Sequence, residues 1–265
     1  MDKRIVSRIW IYPVKSLGGI QVPSAKVLPK GLEHDRRWML IDAENKFMTQ
    51  RVYPEMALFK LSYDSGNFSI SHSGQVIDLP LHSENDLVSA QIWNDRVDVC
   101  EVSRRHSAWF SQILGINCRL VSFPENHSRP VDPVYAVNEN NSVSLADAYP
   151  LLIIGQRSLD DLNQRLEDPL PMNRFRPNII FAGGEPYEED SWRNFSIGQN
   201  RFVGVKPCSR CVITTVNQDT GEKGIEPLAT LATYRQRNNK IYFGQNLIPL
   251  DHTTIAEGDE IVIES

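Results

Sequence analysis

Short runs in which apolar and polar residues alternate, each closed by a turn signal, dominate the first half of this chain. A strand sends successive side chains to opposite faces, whereas a helix brings together residues three and four apart. Period-two alternation therefore commits a segment to a sheet. The runs at 5–12, 21–28, 37–42, 57–63, 68–72, 76–79 and 97–102 read as strands, with Asp64-Ser-Gly66 and Ser73-Gly74 as turns between them. One helix is expected at 105–114, with Ala108, Trp109 and Ile113 as its apolar set and Gly115 as its stop, before 118–123 returns to strand. The first half is thus β-rich with a single helix.

A polar connection at 124–142, carrying Pro124, Pro130 and Pro133, is long enough to be a domain junction or a working loop. Beyond it, Ser158 with Asp161 three residues later resembles a capping box; Leu159, Leu162 and Leu166 make one face, and Pro169 closes a helix at 158–166. The segments 178–182, 197–205, 211–216 and 241–243 read as strands, 227–237 as a helix with proline in its first turn, and 254–263 as a hairpin around Glu257-Gly-Asp259. A chain of 265 residues with 41% hydrophobic content can bury one large core or two modest ones. Its net charge of -5 argues against bulk electrostatic binding to nucleic acid or to an anionic membrane. No apolar run approaches the roughly 20 residues of a spanning helix, and the first residues lack the apolar block of a secretory signal. A cytoplasmic location is expected. Four cysteines without a regular framework suit a reducing compartment, with Cys100 and Cys118 reading as buried strand residues.

The other two cysteines share one tetrapeptide, Cys208-Ser-Arg-Cys211, at the edge of a β-branched run. A structural zinc needs about four ligands, and the histidines at 34, 72, 82, 106, 127 and 252 are scattered. A dithiol redox pair is open, although such pairs usually start a helix. A third reading is one thiolate on a transition metal held mainly by a cofactor, with Arg210 beside it for an anion. Plain burial of two small thiols is the fourth. Elsewhere, Lys15-Ser16 ahead of Gly18-Gly19 suits an oxyanion, or Lys15 is a solvated loop lysine. In Asn173-Arg-Phe-Arg-Pro-Asn178, Arg176 and Asn178 share a face if extended and could hold a planar ligand; a surface salt bridge is the alternative. Asp35-Arg36-Arg37-Trp38 again leads Arg into a strand, Glu188-Glu-Asp190 reads as a solvated acidic turn, and Gly183-Gly184 lacks the third glycine of a dinucleotide fingerprint.

Lys206-Pro-Cys-Ser-Arg-Cys211, taken with the 173–178 segment, Tyr12-Pro-Val-Lys-Ser16 and Phe243-Gly-Gln-Asn246, resembles the MOSC superfamily, named after the C-terminal domain of molybdenum cofactor sulfurases. The resemblance is to bacterial proteins of the branch that includes the mitochondrial amidoxime-reducing components, and it covers nearly the whole chain in order. It implies an α+β, β-rich fold in which a β-rich N-terminal MOSC domain, 1–125, packs with a MOSC β-barrel domain, 126–265. It also implies a molybdenum cofactor of the molybdopterin type between the halves. Cys211 matches the metal ligand and catalytic position, and Cys208 matches a position that is not a ligand. Lys15, Ser16, Arg36, Arg176, Asn178, Ser209 and Arg210 match cofactor-holding positions. A further family contact, just before a helix-leading proline, falls on Ala148-Tyr149, where relatives can have small hydroxyl residues. The implied chemistry is reduction of N-hydroxylated small molecules (hydroxylamines, amidoximes and N-hydroxylated bases) by oxygen removal, with a non-catalytic carrier of cofactor or sulfur as the alternative. Close bacterial relatives can continue into a ferredoxin-like domain. No cysteine follows Cys211, so no iron–sulfur cluster is expected within this chain. Electrons are then expected from a separate flavoprotein or ferredoxin-type protein, or from a C-terminal ferredoxin-like domain missing from this sequence.

Overall fold

A computed structural model of the chain describes residues 2–81, 83 and 86–264; His82, one of the scattered histidines, lies outside the described residues. Among those residues three α-helices stand beside four sheets, so the fold is α+β and β-rich. The largest sheet has nine strands, running Ile261–Ile263, Asn194–Ile197, Asn200–Ser209, Lys240–Pro249, Leu151–Gly155, Ile179–Ala182, Ile5–Ile11 and Ile20–Val22, with Gln236–Arg237 paired onto Lys240–Pro249. One neighbouring pair, Leu151–Gly155 with Ile179–Ala182, is parallel. Parallel neighbours need a crossover, and the helix Gln156–Asn163 lies on it.

The first strand, Ile5–Ile11, belongs to this sheet, with Ile9 opposite Ile179 in antiparallel register. Both halves of the chain therefore contribute to one sheet. Antiparallel pairing sets the exit of Ile5–Ile11 beside the start of Ile179–Ala182, which brings residues 12–16 against residues 176–178. Leu151–Gly155 starts at the same end, and across Lys240–Pro249 that start is level with the middle of Asn200–Ser209, where Lys206 lies opposite Asn246. Four chain segments thus converge on one end of the sheet. A four-stranded sheet, Trp38–Asp42, Cys118–Ser122, Asp95–Glu101 and Leu87–Ile92, closes over that end, joined to it where Lys15 N–H donates to Trp38 O at 2.7 Å. One continuous apolar cluster runs through both halves, from Val6 and Phe59 to Phe181 and Phe202. No helix among the described residues is long and apolar enough to cross a membrane.

Local pattern and structure part company at identifiable places. Pro23 splits the 21–28 run into Ile20–Val22 and Ser24–Leu28, and Pro54 starts a 3-10 turn, Pro54–Leu58, ahead of the strand Lys60–Asp64. Leu87–Ile92 and Leu151–Gly155 carry no usable alternation; all five residues of the latter are buried, as a strand covered on both faces requires. Pro150 consequently leads a strand, not a helix. The 105–114 helix occupies Arg104–Leu114 and ends at Gly115 (φ 66°), but its buried face is His106, Ser107 and Phe110 while Ala108 is exposed. Ser158 does not cap its helix. It lies inside Gln156–Asn163, where its hydroxyl donates to Glu189 Oε1 at 2.9 Å. Glu189 is buried, and burial pushes its carboxyl up to about 7, so the 188–190 turn is not the solvated one expected. The 197–205 run is two strands meeting at Gly198, and Lys240–Pro249 outgrows the expected 241–243. The C-terminal segment is no hairpin: Thr254–Ala256 pairs with Ser24–Leu28, and Ile261–Ile263 with Asn194–Ile197.

Candidate functional site

The segment after the cysteine pair is a 3-10 turn, Val212–Thr215, where alternation and β-branching suggest a strand. Thr214 and Thr215 hydroxyls donate back to Cys211 O and Val212 O, at 3.0 and 2.9 Å, which satisfies those carbonyls without a partner strand. The chain therefore turns sharply at Cys211 and leaves its sulfur half-exposed on the wall of a cleft of about 540 Å³. Lys15, Ser16, Arg36, Arg176, Asn178, Ser209, Arg210 and Cys211 all line this cleft.

Their roles within it differ. Lys15 is buried, not solvated. Its ammonium donates to Leu145 O at 2.7 Å and to Asp147 Oδ1 at 2.5 Å, and burial draws its pKa down to about 8 despite Asp147. Gly19 packs so tightly that an added Cβ meets the Tyr12 ring at 2.4 Å, which accounts for that glycine by packing. Arg36 bonds Asp35 Oδ2 at 2.5 Å and Arg176 O at 3.1 Å. Arg176 has φ of 56°, so the segment is not extended. Its guanidinium donates to Leu17 O at 2.7 Å, and burial pulls its pKa down to about 10. Both guanidinium groups lie over the Tyr12 ring, at 4.4 and 4.3 Å from its centroid. The Tyr12 hydroxyl is buried with no partner among the described residues, and burial pushes it up to about 12. Asn178 lines the cleft, but its amide accepts from Leu152 N–H at 3.2 Å and donates to Trp10 O at 3.1 Å, pinning two strands. Arg210 donates to Phe175 O at 2.5 Å and to Cys208 Sγ at 3.0 Å, while its Nε is buried and unpartnered among the described residues.

Several cleft residues left no trace in the sequence. Arg51 Nε donates to Cys211 Sγ at 3.2 Å, and Arg51 Nη2 to Asp147 Oδ2 at 2.7 Å. Asp147 thereby bridges Lys15 and Arg51. Burial works against its ionisation, but the two cations outweigh it and hold its carboxyl far below the usual carboxylate range. Trp93, at the tip of the Leu87–Ile92/Asp95–Glu101 hairpin, stacks on Arg51 at 4.7 Å. Beneath the cleft, Gln50 and Gln218 exchange amide bonds of 3.2 and 2.9 Å, and Gln50 also holds Ser16 O at 2.7 Å. Arg51 and Gln50 sit in a loop with no spacing signal. The family contact expected at Ala148-Tyr149, directly after it in the chain, is the nearest hint of Asp147.

The two cysteines are free and are engaged by different arginines. Among the described residues no three His, Cys, Asp or Glu side chains gather to hold a metal, so a structural zinc has no ligand set there. Six cations, Lys15, Arg36, Arg51, Arg176, Lys206 and Arg210, and two carboxylates, Asp132 and Asp147, line the cleft, with Asp35 behind Arg36. Such a cavity attracts an anion.

Residues 140–262 match the MOSC domain, and residues 3–117 the MOSC N-terminal beta barrel domain. The human mitochondrial amidoxime-reducing component 1 is 35% identical over 97% of this chain and 82% of its own length. The Bos taurus mitochondrial amidoxime reducing component 2 is 32% identical over 87% of this chain and 72% of its own. The molybdenum cofactor sulfurase of Arabidopsis thaliana is 31% identical over 89% of this chain, which spans 32% of that protein.

Proposed function

Because this chain belongs to the MOSC-domain family, we propose that its cleft holds a molybdenum cofactor with Cys211 as the protein ligand, and that it is an oxidoreductase acting on N-hydroxylated small molecules. The observation that carries this reading is a partly exposed thiol in a cleft lined by six cations and two carboxylates, with Lys15 and Arg176 buried among them. Arg176 is buried with a backbone carbonyl as its directed partner, and Arg210 keeps a buried unpaired N–H, among the described residues. Buried charge without a counter-ion is costly, so these groups fit the phosphate and polar ring edges of a molybdopterin. A thiolate is a ligand that molybdenum accepts. When bound, the cofactor supplies two-electron removal of oxygen from the N–OH group.

The chain's own residues bind and orient. Lys15, Arg36, Arg176 and Arg210 carry the charge that holds an anion, with Ser16 and Ser209 at its edges. Asn178 shapes the cleft by fixing the strands on either side. Arg51 holds the Cys211 sulfur in one direction, and Asp147 holds Arg51. Electrons come from a flavoprotein or ferredoxin-type donor, either a separate protein or a ferredoxin-like domain outside this sequence, and the free thiols suit the cytoplasm. A carrier of cofactor or sulfur is the second reading, favoured by the likeness to sulfurases.

The test is molybdenum analysis of protein from cofactor-competent cells, followed by amine formation from an amidoxime with reduced viologen or NADH as sole donor. About one molybdenum per chain, turnover with viologen and none with NADH are expected. Full loading with no turnover favours the carrier, and turnover with NADH alone overturns the separate donor.

A further inference from the structure

Trp93 is unlike the other large aromatics of this cleft in being 46% exposed. Its backbone has φ of 54°, a left-handed conformation that a bulky residue adopts at a cost and keeps only where its surroundings enforce it. The two-residue turn between Ile92 and Asp95 imposes it, and three contacts fix the side chain. The Arg51 guanidinium covers the ring at 4.7 Å, Phe47 meets it edge-on at 5.0 Å, and the indole Nε1–H donates to Asp147 Oδ1 at 3.3 Å. Arg51 and Asp147 also fix the Cys211 sulfur, so a single guanidinium separates the indole from that thiol. An exposed indole held rigid beside the reactive position is a preformed binding surface, because little side-chain freedom remains to be lost when a ligand packs on it.

We propose that Trp93 is the specificity-determining residue of this cleft, and that it selects N-hydroxylated substrates with a planar aromatic body over aliphatic ones of the same reacting group. The inference rests on the reductase reading above and deepens it by naming the substrate class. The aromatic platform favours docking of a flat ring over an aliphatic group.

Benzamidoxime and acetamidoxime carry the same N–OH group and differ in the ring. Their equilibrium binding to the molybdenum-loaded protein is measured by calorimetry without an electron donor, so that turnover does not enter, for wild type, Trp93→Phe and Trp93→Ala. Wild type is expected to prefer benzamidoxime by about tenfold, the size of one aromatic stacking contact. Trp93→Phe keeps most of that preference, and Trp93→Ala reduces it to about twofold or less. An unchanged ratio in Trp93→Ala, a parallel loss for both ligands, or no preference in wild type overturns the proposal. Discrimination in binding with no turnover of either compound once viologen is added refutes the reductase reading instead, and the two failures are thereby distinguished.

Discussion

Replacing Asp147 with alanine removes the counter-charge of Lys15 and leaves that ammonium buried. Lys15 is 5% exposed, its pKa is already drawn down to about 8 by burial, and its other bond is to Leu145 O. Breaking a buried pair by removing one partner costs about 3–5 kcal/mol. The Asp147 side chain is 46% exposed, so water screens part of that interaction and a loss of about 2–3 kcal/mol is expected. For a chain of this size the melting temperature then falls by roughly 4–12 °C. Adding Lys15→Met removes the stranded charge and keeps the stem volume, so the double variant should melt above Asp147→Ala alone. The sign with pH follows from the same group. Lys15 has a folded pKa below its ordinary 10.5, so its burden is complete below the folded value and lifts as pH rises through it. With Asp147 gone that value drops further, so the deficit of Asp147→Ala should shrink as pH rises from the variant's lower value to about 8 and stay constant above it. Thermal melts of the four cofactor-free proteins across that range form a double-mutant cycle. Additive losses, or an Asp147→Ala variant as stable as wild type, would refute the view that Asp147 serves as the counter-ion of a buried lysine.

Cys211→Ala should abolish turnover while changing stability by no more than about 0.5 kcal/mol, as expected for a half-exposed side chain; wild-type turnover in this variant would sink the enzyme reading. Arg176→Ala and Lys15→Ala should each lower molybdenum occupancy more than they lower stability, and full occupancy with an early melt would make both residues structural. Arg51→Gln removes the donor to the Cys211 sulfur, and outer partners of this kind are worth about 10–100-fold in metal affinity or activity. Metal content and kcat/KM both at wild-type level would exclude that role.

The sequence by itself determined what depends on neighbours in the chain. Alternation commits Ile5–Ile11, Asn67–His72 and Asp95–Glu101 to strands, because the pleat shows one face to the core whichever strand lies alongside. A glycine after Leu114 ends a helix wherever that helix packs. The Cys-Ser-Arg-Cys tetrapeptide and the Arg-Pro-Asn at 176–178 likewise stand out as local composition. Only the tertiary structure decided what depends on partners far along the chain. Arg51 meets Cys211 across 160 positions, and Lys15 meets Asp147 across 132. No spacing records such pairs, because the antiparallel register of Ile5–Ile11 with Ile179–Ala182 and the hairpin bearing Trp93 create them. The same long-range competition overruled local preference. Ser158 left its cap position to satisfy Glu189, and the 211–216 run gave up a strand once Thr214 and Thr215 could bond the carbonyls behind them. A buried polar group takes whichever partner the folded chain brings within 3 Å or so, and that partner is a property of the fold.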